Sequence, residues 1–128
     1  SKKAYPDLNI KKLTKRDAIK IYRKDYWDKN KVESIPEPLH HIYFDMCINM
    51  GKSRAVKILQ AAANNKNLGW SKSIEVDGGL GPMTRKAISK VEHARVQAFR
   101  IKYYVNLIEK KPDLAKFYFG WYRRSLEV

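Results

Sequence analysis

Apolar residues recur three and four positions apart through most of this chain, and the recurrence stops only at prolines, glycines and polar clusters. That period marks helices buried along one face, whereas the alternation that would mark strands is almost absent. The spacing predicts a helix from about Thr14 to Trp27, with Thr14 as N-cap, Asp17 in the first turn, and Ala18, Ile19, Tyr22 and Tyr26 as apolar positions. Residues 28–38, which include Asn30, Ser34, Pro36 and Pro38, read as a surface connection. Pro38 then opens a second helix with Leu39, Ile42, Tyr43, Met46 and Met50 on its apolar face, closed by Gly51. Ser53 is the expected cap of a third, with Ala55, Val56, Leu59, Ala62 and Ala63 inward.

Residues 64–73 are polar apart from Trp70 and read as a loop of free length. Residues 74–82 form a short extended piece running into a turn at Asp77, Gly78, Gly79, Gly81 and Pro82, whose glycines supply positive φ angles. Pro82 opens the next helix, with Ala87, Ile88 and Val91 inward. The helical pattern then runs to Lys111, with Ala94, Ala98, Ile101, Val105 and Ile108 on one face and Phe99, Tyr103 and Leu107 widening it. Pro112 stops it, and Asp113 caps a last helix whose aromatics from Phe117 to Tyr122 are expected to pack in the core. The fold class is therefore all-α, or nearly so: one compact unit of about six helices with one short extended glycine turn.

Bulk chemistry narrows the function. With 27 Lys and Arg against 13 Asp and Glu, the net charge of +14 attracts polyanions at long range. Nucleic acid, an anionic membrane surface and the bacterial wall all qualify, although any one cluster of charges reads as a solvated face. No apolar run reaches the length of a membrane span, and Ser1 to Pro6 lack the apolar stretch of a secretion signal. Cys47 is the single cysteine, which excludes an internal disulfide and a thiolate metal cluster. In its apolar run it reads as a buried, inert thiol. His40, His41 and His93 have no ligand spacing, so neither metal nor cofactor is expected.

Two stretches go beyond fold class. One runs from Asp17-Ala18 through Ile21-Tyr22 to Asp25-Tyr26-Trp27, then Ile35-Pro36 and Phe44-Asp45-Met46-Cys47-Ile48-Asn49-Met50-Gly51. The other is Val76-Asp77-Gly78-Gly79-Leu80-Gly81-Pro82-Met83-Thr84. In this order and at these gaps the chain resembles the glycoside hydrolase family 108 muramidases with their peptidoglycan-binding region, found in phage endolysins and related bacterial proteins. The resemblance runs from about Ser1 to Ile88 and implies a lysozyme-like helical bundle. It also implies that residues 1–35 are the C-terminal part of the catalytic region and 36–128 the peptidoglycan-binding region.

The implied activity of the parent is hydrolysis of the β-1,4 bond between N-acetylmuramic acid and N-acetylglucosamine, at the bacterial wall, after release from a phage host or by secretion. In that family the catalytic glutamate stands in a Glu-Gly-Gly-Tyr motif ahead of the matching region, and this sequence contains no such motif. The expectation is a shortened form, by truncation, proteolysis or natural loss, that retains wall recognition. Its expected partner is peptidoglycan, and it is expected to be a monomer. A non-enzymatic wall-binding adaptor and a basic nucleic-acid-binding protein are the competing readings, and the latter lacks any familiar binding signature.

Glycoside hydrolysis needs a carboxylic acid that holds its proton, which takes an apolar setting. Glu33 and Glu37 lie in the polar connection, Glu75 beside Asp77, Glu92 and Glu109 among basic residues, and Glu127 at the end. None reads as a poised acid. Asp25 and Asp45 are weak candidates for a supporting carboxylate. Asp45 and Asn49, one helical turn apart, either reach bound sugar or serve structure, Asp45 by pairing with an Arg or Lys and Asn49 by capping the helix end. Trp27 and Trp70 can stack on sugar rings. For Tyr26 the core is favoured, and for Trp27 core and sugar platform are balanced.

Overall fold

The computed structural model describes residues 14–68 and 73–128, and among them there is no strand. The first helix, α1 (Lys15–Lys29), begins at a reciprocal capping box in which Thr14 Oγ1 accepts from the Asp17 N–H at 3.1 Å and Asp17 Oδ2 accepts from the Thr14 N–H at 3.4 Å. It ends at Asn30, and Lys31 turns the chain through a left-handed φ of 55°. Residues 28–38 are more than a surface connection. They form two 3₁₀ turns, Val32–Ser34 and Glu37–Leu39, and Val32 and Ile35 are buried.

Helix α2 (His40–Met50) starts after Leu39 rather than at Pro38. Gly51, at φ +90°, closes it and is also the N-cap of α3 (Lys52–Lys66). Ser53 therefore lies inside α3 and caps nothing, because one glycine outside the range of L-residues reverses the chain without a longer linker. Helix α3 also extends into the segment expected to be a loop, and there Asn64 does structural work. Its Nδ2 donates to the Ile74 carbonyl and its Oδ1 accepts from the Ile74 N–H, both at 2.9 Å. Trp70 lies outside the described residues.

After the glycine turn, α4 (Pro82–Ala87) is short, and the chain breaks between Ile88 and Glu92 before α5 (His93–Lys110). A 3₁₀ segment, Pro112–Phe117, leads into α6 (Tyr118–Glu127), so Asp113 is not the cap of the last helix. Helices α2, α3 and α5 pack together, with α6 against α5 and α4 against α3. Between them lie Leu39, Ile42, Tyr43, Met46, Ala55, Val56, Leu59, Ala62, Ile88 and Val96.

Two faces differ from the sequence pattern. On α5 the buried residues are Val96, Arg100 and Tyr104, while Ala94 and Ala98 face solvent. The helix is turned so that a guanidinium points inward, which a pattern of apolar residues cannot register. The aromatic string at the C-terminus is not a core: Phe117, Phe119 and Tyr122 are exposed, and only Trp121 and Tyr118 are half-buried. Likewise α1 buries none of its residues, and Tyr26, expected inside, stands 48% exposed.

Candidate functional site

The sequence-derived candidates fall into three separate places. Trp27 is half-buried at the end of α1, edge-on to His40 and His41 and 5.1 Å between centroids from Phe44. Its Nε1–H donates to Glu33 Oε1 at 2.8 Å. Asp25 is exposed on the same helix.

Asp45 of α2 is buried, 7% exposed. Arg100 Nη2 of α5 lies 2.7 Å from its Oδ2, and Arg124 of α6 donates from Nε and Nη2 to its Oδ1 at 3.0 and 2.5 Å. Asn49 Nδ2 donates to both the Asp45 carbonyl and Oδ2, each at 3.0 Å. Burial pushes the Asp45 carboxyl up, but the hydrogen bonds from Arg124 and Arg100 outweigh it and hold the group below the usual carboxylate range. The same pairing raises Arg124 further. An ionised carboxylate so engaged is a tie between three helices.

The glycine turn is built around Gln60 of α3, which is completely buried. Its Oε1 accepts from the Gly78 N–H at 3.0 Å, and its Nε2 hydrogens are shared among Asp77 Oδ1, the Gly79 carbonyl and Thr84 Oγ1 at 2.9–3.1 Å. Asp77 Oδ1 also accepts from the Gly79 N–H at 2.8 Å, and these bonds, that of Gln60 foremost, lower its pKa. Of the glycines here only Gly78 needs a positive φ, +81°. A Cβ added there would stand 2.5 Å from Ser53 Oγ. Gly81 keeps extended φ, and Pro82 follows as the first residue of α4. Gln60 was not singled out from the sequence, yet a lone amide among Val56, Leu59, Ala62 and Ala63 was a usable signal.

A fourth feature has no counterpart in the sequence reading. Between α3 and α5 runs an open groove of about 270 Å³, lined by Arg54, Lys57, Ile58 and Ala61 on one side and Phe99, Lys102, Tyr103 and Asn106 on the other. Three cations, two aromatic rings and one amide meet there without a carboxylate. Lys102 Nζ lies 5.5 Å from the Phe99 ring centroid. The signal was available as Arg54 with Lys57 and as Phe99 with Lys102 and Tyr103, pairs at helical spacing. A wider groove of about 690 Å³, bordered by Asn64, Lys66, Met83, Lys86 and Lys90, lies between α3 and α4.

All six glutamates are exposed. Glu92 bridges Lys66 at 2.9 Å and Arg95 at 3.0 Å, and the hydrogen bonds from Arg95 and Lys66 bring its pKa down to about 2. Cys47 is buried, and burial pushes its thiol up to about 11.

Comparison with known proteins places this geometry in a family. The model described as Predicted Peptidoglycan domain matches residues 54–126, which hold both grooves, the glycine turn, Arg100 and Arg124. The chain belongs to this peptidoglycan-domain family. The model described as Glycosyl hydrolase 108 matches residues 1–51, which hold Trp27, Asp45 and Asn49, so the resemblance carried by Asp25-Tyr26-Trp27 and Asp45 to Gly51 is met. The two matches meet at the α2–α3 turn. Among solved structures, that of Brucella abortus SagA is 29% identical with a TM-score of 0.62, covering 92% of this chain and 63% of that one. The chain thus spans less than two thirds of that relative's length. A comparison with curated proteins gives no match.

Proposed function

We propose that this chain is the wall-recognising part of a peptidoglycan hydrolase, and that the parent is a muramidase cleaving between N-acetylmuramic acid and N-acetylglucosamine. The observation that carries the recognition role is the α3–α5 groove in the peptidoglycan domain. Aromatic faces such as Phe99 and Tyr103 cover the apolar CH face of a pyranose, and Asn106 offers hydrogen bonds to its hydroxyls. Lys57, Lys102 and Arg54 match the free carboxylates of stem peptides, which an uncharged polysaccharide lacks.

Catalysis is assigned to no residue of this chain. A general acid must stay protonated near neutral pH, which takes an apolar setting, and all six glutamates stand exposed to solvent. Asp45, held by two guanidinium groups, is equally unsuited to carry a proton. Asp45 and Asn49 are assigned to holding the helices together, and Trp27 to the α1–α2 packing.

The test is co-sedimentation with purified sacculi, beside a turbidity assay on the same material. Binding without lysis is expected, and Lys57→Glu with Lys102→Glu should abolish the pelleting. Lysis by this chain would overturn the assignment of binding without catalysis. Retention of full binding by the double variant would remove the groove from the reading. The charge also prompts a nucleic-acid reading, and duplex DNA at increasing salt is the control that separates long-range attraction from recognition.

A further inference from the structure

The last helix carries apolar side chains that stay partly exposed to solvent. On α6, Phe119, Tyr122 and Leu126 recur at i, i+3 and i+7 and so share one helix face. They are 67%, 37% and 52% exposed, whereas Phe117 of the preceding 3₁₀ segment turns the other way, 5.8 Å between ring centroids from Trp121. The opposite face of α6 is the packed one. There Ser125 is buried and Trp121 stacks on Tyr104 of α5 at 4.7 Å between centroids.

Cations stand around the exposed strip. The Arg123 guanidinium lies 5.9 Å from the Phe119 ring centroid. Lys110 and Lys111 are exposed at the end of α5, immediately before Pro112. Against these stand Asp113 and Glu127, the latter 3.9 Å from Arg123. Rings and a leucine projecting between long basic side chains match an interfacial helix. Its apolar face enters the boundary between headgroups and acyl chains, and its Lys and Arg stay at phosphate level. No helix among the described residues is long and apolar enough to cross a membrane, so the contact is peripheral. A second copy is a poor occupant, because each copy brings a net charge of +14.

We propose that the Phe119–Tyr122–Leu126 face of α6 docks reversibly on an anionic phospholipid bilayer. It shares no residue with the α3–α5 groove, so wall and membrane engage separate surfaces. The charge attracts the protein to the bilayer, and the strip gives the attachment a hydrophobic component that salt does not screen.

The test is co-sedimentation of the full chain with vesicles of phosphatidylglycerol and phosphatidylethanolamine, and with vesicles of phosphatidylcholine. Binding to the anionic vesicles only is expected, with a residue of binding that survives high salt. Phe119→Ser with Leu126→Ser should weaken it about tenfold, from the loss of buried apolar area, while thermal midpoint and sacculus binding stay unchanged. Lys57→Glu with Lys102→Glu should lose sacculi and keep most vesicle binding, so failure of the groove assignment and failure of this one read out differently. Three outcomes overturn the proposal. The serine variant could bind vesicles as well as the parent, which leaves bulk charge alone. It could lose sacculi instead of vesicles, which makes the strip a saccharide platform. Or the parent could dimerise through the strip, shown by a change in sedimentation velocity on substitution.

Discussion

Asp45 shows how much one side chain can decide. Among the described residues it is the only counter-charge in contact with Arg100, which is 1% exposed and whose Nε and Nη1 find no acceptor there. Asp45→Asn removes that charge while keeping the shape, and a loss of about 3–5 kcal/mol is expected in urea unfolding. The pH dependence has a definite sign. Because the folded pKa of Asp45 lies below its unfolded value, its contribution is complete above about pH 4 and is lost as pH falls through the folded value. An acid titration of the unfolding midpoint should show this fall in the parent and a flatter profile in the variant. Gln60 is the second such residue. Gln60→Leu leaves the Gly78 N–H and Thr84 Oγ1 short of partners, and about 1–3 kcal/mol should be lost in the same assay. The sequence left Asp45 open between sugar contact and ion pair, since its partners lie 55 and 79 positions further along the chain.

At the scale of elements, what was legible is what is local. The Thr14–Asp17 capping box, the stop at Gly51 and the start at Pro82 each depend on neighbours within a few residues, and α1, α2 and α4 begin or end there. Helix α5 was placed in sequence, and Phe99 and Tyr103 do pack against the core, but Arg100 on its inner face could not be read because its carboxylate partner lies on another helix. The aromatic strip on α6 misled for a related reason. Periodicity identifies an apolar face without saying whether anything covers it. For the groove, the pairs on each wall could be read, but not that the two walls face each other, because they come from different helices, at least 38 positions apart in the chain. The turn between α3 and α4 offers an element-scale test. Gly78→Ala must place a Cβ 2.5 Å from Ser53 Oγ at a φ of +81°, and about 1–3 kcal/mol of destabilisation is expected. Hydrogen exchange should show that loss concentrated at residues 74–87, with α1 unaffected.

For the whole molecule, the family matches divide the chain at the α2–α3 turn, whereas the packing does not. Helices α2 and α3 share one core, and α5 and α6 send Arg100 and Arg124 across the division to Asp45. Thermal unfolding should therefore be a single transition, seen at the same midpoint by near- and far-ultraviolet circular dichroism. Two midpoints would show that the halves fold separately. The Asp45 tie also bears on how such proteins diversify. Wall-binding domains that travel between enzymes are self-sufficient, joined by linkers that can be cut and respliced. Residues 54–126 transplanted alone would carry the two guanidinium groups without their carboxylate and expose the face that α2 covers. Any transplant of this unit would therefore have to carry α2 along, to keep Asp45 against Arg100 and Arg124.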